Sequence, residues 1–263
     1  MAKSSGERLT EKRRRAGGCR FSYLEGGAQN REALPLVFLH GWALAGYSFR
    51  DGLELLAQRR RVIAPDLPGF HHSLCSTAGW SYEDHARAVW ALTQALGLDR
   101  FHLAGHSTGG GIAVALAADF PASVASLTLL DSAGVPLGSF WRVLAAKLVE
   151  QPAQAWATSL ARQHGPLVIS FLYSIFLRPA NTYHTARLPL KLDVRPQMAR
   201  VRAPCQLVWG DRDRAVPLAL GRELAAALPG AELKILPRSH HEWSALRPDW
   251  LRQVVEDFIQ PLD

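Results

Sequence analysis

Short apolar segments alternate with longer amphipathic stretches along the chain, and this alternation constrains the fold more than any other feature of the sequence. The apolar segments are nearly continuous, as expected for strands of a parallel sheet that helices cover on both faces. The alternation therefore predicts an α/β fold with a mostly parallel central sheet. The predicted strands are Phe21–Leu24, Leu36–His40, Arg61–Pro65, Phe101–Ala104, Ser126–Leu130, Gln206–Trp209 and Glu232–Leu236.

Helix boundaries are marked by capping residues and prolines. Ser81 followed by Asp84 resembles a capping box, and it predicts a helix that runs to about Leu96. Residues 110–120 form an alanine-rich segment that predicts a second helix, which Pro121 ends. A third helix is predicted over residues 248–259, at the end of the chain.

The alternation is interrupted once, between residues 135 and 202. No convincing strand occurs there, and the segment is helical in pattern, punctuated by prolines and basic. So long a stretch exceeds an ordinary loop. We therefore expect a helical cap at 135–202, inserted into one α/β core that consists of residues 21–134 and 203–263.

Basic residues are concentrated in two places. The formal net charge is +7, and residues 1–20 carry seven lysines and arginines against two acidic residues. The predicted cap carries nine lysines and arginines against two acidic residues, while the rest of the chain is mildly acidic. This distribution predicts a flexible basic arm at residues 1–20 and argues against a nucleic-acid-binding groove.

The sequence also bears on membranes and on compartment. Its longest apolar run has about 11 residues against roughly 20 for a membrane span, so no stable membrane insertion is expected. Cys19, Cys75 and Cys205 are odd in number, widely spaced and without a CxxC motif. We therefore expect three reduced thiols in a cytoplasmic protein.

Gly105-His106-Ser107-Thr108-Gly109 matches the pattern G-x-S-x-G. The pattern follows a predicted strand and enters a predicted helix. A serine on such a turn has a strained backbone and projects its hydroxyl above the edge of the sheet. Ser107 is therefore the candidate nucleophile.

A serine nucleophile needs a histidine base, and the histidine needs an acid that orients it. Acid candidates Asp211 and Asp213 follow the strand that ends at Trp209. His240 and His241 follow the last predicted strand. All of them lie at the carboxyl ends of strands, where open α/β sheets have their sites.

Four landmarks together resemble the α/β-hydrolase superfamily, in its serine-esterase branch. They are His40-Gly41-Trp42, Asp66-Leu67-Pro68-Gly69, the turn at Ser107, and the G-x-x-D pattern that begins at Gly210 and is followed by a histidine after the last strand. The resemblance covers roughly residues 20–263 and implies the α/β-hydrolase fold.

The same resemblance implies roles for individual residues. The family spacing from Gly210 favours Asp213 as the acid, with Asp131 and Asp211 as alternatives. A proline seven residues after the histidine favours His241 over His240. The resemblance also implies an oxyanion hole formed by the backbone N–H groups of Trp42 and Thr108. His71 and His72 depart from the family's glycine, and we expect a structural or pocket-edge role for them rather than metal binding.

One cap segment has apolar residues on all sides, so it must pack on the core, line a pocket or meet lipid. We predict that part of it lines the substrate pocket together with His106. The predicted pocket residues are His106, Phe171, Leu172, Ile175 and Phe176.

These features predict a cofactor-independent, metal-free serine hydrolase that acts on a carboxylic ester or thioester. The serine also excludes relatives that use an aspartate nucleophile at this turn. The alternatives are a C–C bond hydrolase or acyltransferase with the same residues, and a non-catalytic ligand-binding protein. Basic residues in the cap favour a small anionic or carrier-bound substrate. Oligomeric state is left open.

Overall fold

A mostly parallel sheet lies at the centre of the protein, with helices on both of its faces. The computed structural model describes residues 8–27, 32–139, 161–228 and 230–263, and its sheet has eight strands in the order β1-β2-β4-β3-β5-β6-β7-β8. The strands are β1 (Thr10–Ala16), β2 (Cys19–Gly26), β3 (Leu36–Leu39), β4 (Val62–Pro65), β5 (Phe101–His106), β6 (Val124–Leu130), β7 (Cys205–Gly210) and β8 (Glu232–Leu236). The predicted α/β class is confirmed.

The helices follow the predicted pattern. Ser81 and Asp84 form the predicted capping box at the start of α2, and α3 begins two residues earlier than predicted. The helices are α1 (Arg50–Leu56), α2 (Tyr82–Ala95), α3 (Thr108–Asp119), α4 (Ala161–Leu177), α5 (Pro179–Thr185), α6 (Arg187–Lys191), α7 (Arg195–Met198), α8 (Leu218–Ala227), α9 (Trp243–Leu246) and α10 (Pro248–Ile259). Short 3-10 turns occupy Gly46–Phe49 and Gln260–Leu262.

Two apolar layers cover the faces of the sheet. One contains Val89 of α2, Ile112 of α3 and Leu224 of α8. The other contains Leu53 of α1 and Leu251 of α10. Burial of both faces stabilises the sheet and explains why its inner strands are almost continuously apolar.

The expected flexible arm at residues 1–20 is wrong for its described part. Residues 10–16 form β1, an antiparallel edge strand paired along its length with β2. Lys12 forms an ion pair with Glu25 at 2.8 Å, and the Arg14 guanidinium donates to the Ala95 carbonyl at 2.9 Å. Charged side chains suit an edge strand because they discourage pairing with other chains. Residues 1–7 lie outside the described residues.

The expectation of three reduced thiols is also wrong. Cys19 and Cys75 form a disulfide, and Cys205 is the free, buried cysteine of the described residues. Arg20 and Leu74 exchange backbone hydrogen bonds of 3.0 and 2.9 Å, which brings the neighbouring cysteines together. Spacing in the sequence did not reveal this contact. The prediction of a cytoplasmic protein loses this support and stays a prediction.

Helices α4 to α7 lie between β6 and β7, within the segment predicted as a cap. Residues 140–160 of that segment lie outside the described residues. Among the residues that the structure does describe, no helix combines the length and the apolar character that crossing a membrane requires.

Candidate active site

Ser107 lies on the sharp turn between β5 and α3. Its backbone has φ +52° and ψ −123°, a conformation that non-glycine residues rarely adopt and that costs free energy. The glycines on either side allow the turn to be tight. A Cβ atom at Gly105 would lie 2.5 Å from the carbonyl oxygen of Gly109, and one at Gly109 would collide with the carbonyl of Leu39.

The turn is placed at the point where the strand order reverses. β3 pairs with β4 on one side and with β5 on the other, so the loops after β3 and β5 diverge and leave a crevice. Open α/β sheets bind ligands in such crevices. The loop after β3 carries Trp42, and the loop after β5 carries Ser107.

Three distant side chains meet beside this turn. The Oγ of Ser107 lies 3.1 Å from Nε2 of His241, and Nδ1 of His241 lies 2.7 Å from Oδ2 of Asp213. All three residues are buried, with 8%, 1% and 6% of their surfaces exposed. The sequence-predicted trio is therefore brought within hydrogen-bond distance.

The second oxygen of Asp213 is also held, because Oδ1 accepts the Val216 N–H at 2.8 Å. An ionised carboxylate accepts hydrogen bonds and does not donate them. Nδ1 of His241 therefore carries the hydrogen, and Nε2 is left to accept the hydroxyl hydrogen of Ser107. This is the arrangement in which a histidine can act as a base towards serine.

The other acid and histidine candidates lie elsewhere. Asp211 accepts the Ser239 N–H at 3.1 Å and joins the loops after β7 and β8. His240 is partly exposed, and burial lowers its pKa. The structure therefore favours Asp213 and His241 over these neighbours.

Asp131 lies immediately after β6 and is fully buried beside Asp213 and His241. The closest ligand atoms of the three side chains all lie within 4.8 Å of one another. Its Oδ1 accepts the Gly210 N–H at 2.8 Å. Burial, and then the charge of Asp213, raise the pKa of Asp131 well above its usual value. Asp131 is thus the member of this carboxyl pair whose pKa is raised, a feature that the sequence did not reveal.

The predicted oxyanion donors border the nucleophile. Trp42 and Thr108 line a cavity of about 30 Å³ that also contains Ser107 and His241. Thr108 is the first residue of α3, so its N–H belongs to the positive end of that helix. A cavity of this size holds about one or two water molecules.

His40 and His106 support the loops of the site. Nε2 of His40 accepts the Leu67 N–H at 2.8 Å, which ties the loop after β3 to the loop after β4. Burial lowers the pKa of His40 to about 4, so the ring is neutral and can accept. Nε2 of His106 lies 3.0 Å from the His241 carbonyl, and His106 also lines the 30 Å³ cavity, as predicted for a pocket residue.

A larger cavity of about 510 Å³ is lined by Trp42 and by residues between Ile175 and Lys191. Trp42 lines both cavities, and its indole N–H donates to the Thr182 carbonyl at 2.9 Å. This volume falls in the usual range of small-molecule sites. The lining residues are Trp42, Ile175, Pro179, Thr182, Tyr183, Ala186, Arg187, Leu190 and Lys191.

The predicted pocket residues of α4 divide into two groups. Ile175 lines the large cavity. Phe171 lines neither cavity, although its ring packs edge-on against Trp42 with centroids 6.2 Å apart. The prediction that Leu172 and Phe176 line the pocket was wrong, because these side chains are 46% and 72% exposed and line neither cavity. α4 is apolar on all sides, so its sequence pattern did not distinguish the inner face from the outer one.

The sequence analysis missed Arg187 and Lys191 as cavity residues. Both belong to the basic residues of the predicted cap, and the sequence did not predict that they face a cavity. Their separation of four residues, on one face of a short helix, was the available signal.

Comparison with known proteins gives one family match and several similar proteins. The family model for the alpha/beta hydrolase fold matches residues 35–200. The "Magnesium-chelatase 30 kDa subunit" of Rhodobacter capsulatus is 30% identical over 249 residues, which cover 86% of this chain and 86% of that protein. The "2-hydroxy-6-oxo-6-phenylhexa-2,4-dienoate hydrolase" of Burkholderia cepacia is 28% identical over 256 residues, which cover 85% of this chain and 87% of that protein.

Among solved structures, a bacterial membrane phospholipase A has a TM-score of 0.79 and 26% identity. The match covers 97% of this chain and 87% of that one.

Proposed function

Because the chain belongs to the α/β-hydrolase family, we propose that it is a serine hydrolase that cleaves carboxylic esters or thioesters through an acyl-enzyme on Ser107. The observation that supports this most strongly is the pair of hydrogen-bond contacts from Ser107 to His241 and from His241 to Asp213. A hydroxyl in contact with a base that an acid orients is the requirement for nucleophilic acyl transfer.

In the first half-reaction, the Oγ of Ser107 attacks the carbonyl carbon while Nε2 of His241 takes the hydroxyl proton. The carbonyl oxygen becomes an oxyanion, which the backbone N–H groups of Trp42 and Thr108 stabilise. One such donor typically contributes about 3 kcal/mol to the stability of the transition state. His241 then gives its proton to the departing alcohol or thiol, and the acyl group stays on Ser107.

In the second half-reaction, a water molecule takes the place of the leaving group. His241 removes a proton from the water, the hydroxide attacks the acyl carbon, and the carboxylic acid departs as the proton returns to Ser107. Asp213 stabilises the positive charge on His241 in both halves. Its burial strengthens this interaction because little water screens the pair.

The large cavity supports a substrate with an apolar part and a negative charge. Ile175, Pro179 and Leu190 supply apolar surface, while Arg187 and Lys191 supply two cations in the same lining. Other cap cations are engaged elsewhere, since Arg195 pairs with Asp193 and Glu223, and Arg200 pairs with Asp119.

The relatives support a second candidate, C–C bond hydrolysis with the same three side chains. The Burkholderia cepacia protein is named as a dienoate hydrolase, and such a substrate has a conjugated chain and a carboxylate. The cavity chemistry fits that substrate class as well. An acyltransferase would require an alcohol or thiol in place of the deacylating water.

A chain-length series of p-nitrophenyl esters, with and without a terminal carboxylate, tests the proposal. We expect turnover by the wild type and its loss in Ser107→Ala. The carboxylated esters should lose most of their kcat/KM advantage in Arg187→Ala/Lys191→Ala, whereas the neutral esters should not. Turnover of a vinylogous diketone but of no ester would instead establish the C–C hydrolase.

The matched control is Arg195→Ala, which removes a cap cation that is paired with carboxylates outside the cavity. It should leave the ratio of charged to neutral esters unchanged. Equal turnover by Ser107→Ala and the wild type would overturn the proposed function.

A further inference from the structure

A second group of titratable side chains lies away from the proposed catalytic residues. Nδ1 of His71 is 3.3 Å from Oδ2 of Asp66, and Nδ1 of His72 is 3.3 Å from Oε1 of Glu11. Ligand atoms of Asp66, His71 and His72 all lie within 4.8 Å of one another. The group lines a cavity of about 290 Å³ that shares no lining residue with the cavity at Ser107.

We infer that this cluster is a binding site for a divalent transition-metal ion of the zinc type, with Asp66, His71 and His72 as ligands and Glu11 as the fourth. Two imidazole nitrogens and two carboxylate oxygens are a donor set that binds such ions. This inference departs from the sequence-based expectation, which assigned the two histidines a structural or pocket-edge role rather than metal binding.

The separations suit a tetrahedral ion. Bonds of about 2.0–2.2 Å place neighbouring ligand atoms roughly 3.4 Å apart. Two contacts of 3.3 Å already match that value. The ligand atoms of Asp66, His71 and His72 are at most 4.8 Å apart, so a bound ion has to draw them closer together, and Glu11 joins the group through its 3.3 Å contact with His72.

The carboxylate of Asp66 is held in place before any ion binds. Its Oδ1 accepts the Gly46 N–H at 3.1 Å, and its Oδ2 accepts the His72 N–H at 3.2 Å. Hydrogen bonds to a ligating carboxylate fix its orientation and raise its contribution to metal affinity.

The two histidines are also held in a specific arrangement. His71 has φ +40°, a backbone conformation that non-glycine residues rarely adopt, and the ring centroids of His71 and His72 lie only 4.2 Å apart. The ring of Tyr173, from α4, lies 4.3 Å from that of His71. A strained residue at this position is characteristic of functional sites.

Of the nearby cations, Arg13 lies beside Glu11, with its guanidinium 3.8 Å from Oε1, so an ion would replace this exposed ion pair. Arg50 lines the same cavity, but its guanidinium donates to Glu54 and to the Leu9 carbonyl. Arg178 donates to the backbone carbonyl of His71 at 3.3 Å and not to a carboxylate. The Ser22 hydroxyl donates to Oε1 of Glu11 at 2.8 Å and orients it.

The ligands come from separate parts of the chain. Glu11 belongs to β1, the other three follow β4, and Tyr173 belongs to the cap segment. A bound ion would therefore connect the N-terminal hairpin, formed by β1 and β2, to the loop after β4, next to the ring of Tyr173. This predicts an effect on stability as well as on binding.

Titration of the full chain, free of affinity tags and treated with a chelator, tests the inference. We expect calorimetry with ZnCl₂ to give one ion per chain, and Tm to rise by roughly 5–10 °C at 100 times the dissociation constant. His72→Ala should weaken zinc binding at least about tenfold. The matched control His184→Ala, a partly exposed cap histidine outside the cluster, should not.

Asp131, Asp213 and His241 form the other group of suitable spacing in the described residues, so it needs a separate control. His241→Ala should retain the calorimetric site. Loss of zinc binding in His241→Ala with retention in His72→Ala would overturn the inference, as would no binding by the wild type.

Glu11→Gln keeps the test decisive if His72→Ala fails to fold, because Glu11 is 45% exposed on an edge strand. It should weaken zinc binding and alter the visible spectrum of the cobalt-substituted protein. Glu232→Gln, on the opposite edge strand, should change neither. Unchanged affinity and spectrum in Glu11→Gln would remove Glu11 from the site and contradict the four-ligand assignment.

Discussion

Asp131 and Asp213 lie side by side at the ends of neighbouring strands, and their surroundings differ. Asp213 is 2.7 Å from His241 and accepts a backbone N–H through its other oxygen. Burial and the neighbouring charge raise the pKa of Asp131 well above its usual value. Two carboxyl groups this close do not both ionise readily, so one proton stays on the pair.

This difference predicts different kinetic effects for the two asparagine variants. Asp213→Asn should lower kcat by about 10⁴, because an amide there leaves His241 in the wrong tautomer. Asp131→Asn should keep kcat within about tenfold, because the acid that contacts His241 remains. Initial rates with a p-nitrophenyl ester measure both. A larger loss in Asp131→Asn than in Asp213→Asn would reverse the assignment of the acid.

The raised pKa of Asp131 also predicts how stability depends on pH. A group with a higher pKa in the native protein than in the unfolded chain, where it is about 3.9, makes a contribution to stability that is favourable in acid and is lost as pH rises. The amide of Asp131→Asn does not ionise, so this variant should have a higher Tm than the wild type at pH 7. Its advantage should shrink towards pH 4.

Thermal melts from pH 4 to pH 8 check this prediction, with Asp211→Asn as an exposed control. A Tm difference between Asp131→Asn and the wild type that is constant with pH would contradict it.

Residue spacing predicted which side chains meet at the site, but it did not predict the pKa of a neighbouring carboxyl group. The G-x-x-D spacing and the distance to Pro248 selected Asp213 and His241, which the structure brings together with Ser107. The raised pKa of Asp131 depends on burial and on a neighbouring charge 82 positions away in the chain. No local pattern contains that information.

At the scale of elements, a disulfide bond links the N-terminal hairpin to the rest of the protein. The disulfide joins the start of β2 to the loop after β4 across a sequence separation of 56 residues. Closing a loop of this size removes conformational freedom from the unfolded chain, and removing such a bond typically costs about 2–5 kcal/mol.

Cys19→Ser/Cys75→Ser should therefore lower the free energy of unfolding by about 2–5 kcal/mol, as measured by urea denaturation. A reducing agent should lower the stability of the wild type to a similar extent and leave the double variant unchanged. Cys205 should not react in the folded protein, because burial raises the pKa of its thiol to about 12. Equal stability of reduced and unreduced wild type would contradict the prediction.

The elements that the sequence predicted and those that it missed differ in burial. All seven apolar strands occur, each within two residues of the predicted bounds. β1 was missed because an edge strand exposes both faces and so lacks an apolar pattern, with Lys12 and its three following arginines forming a charged run instead. The inner face of α4 was also not predictable, because the helix carries apolar residues on all of its sides.

At the scale of the whole molecule, one buried cation connects the end of the chain to the core. Arg60 is 1% exposed, and its guanidinium donates to Glu256 of α10 at 3.0 Å and to Asp263 at 2.9 Å. It also donates to the Leu34 carbonyl at 3.1 Å. These contacts join the segments before β3 and β4 to the last helix and the last residue.

Arg60→Ala should lower the free energy of unfolding by about 3–5 kcal/mol, because it leaves a buried carboxylate without its partner. Tm should fall by roughly 10 °C. Arg59→Ala removes the exposed neighbouring arginine and should change Tm by little. Melts of the two variants compared with the wild type test this directly. Similar Tm values for both variants would show that the buried network does not stabilise the fold.

The central claim is that the hydroxyl of Ser107 is an activated nucleophile. Its most direct test is to treat the folded wild type with a fluorophosphonate, digest it and locate the adduct by peptide mass spectrometry. We expect one adduct, on Ser107, that is absent from Ser107→Ala and strongly slowed in His241→Ala. A folded wild type that stays unlabelled, or that is labelled equally at another serine in Ser107→Ala, would contradict the claim.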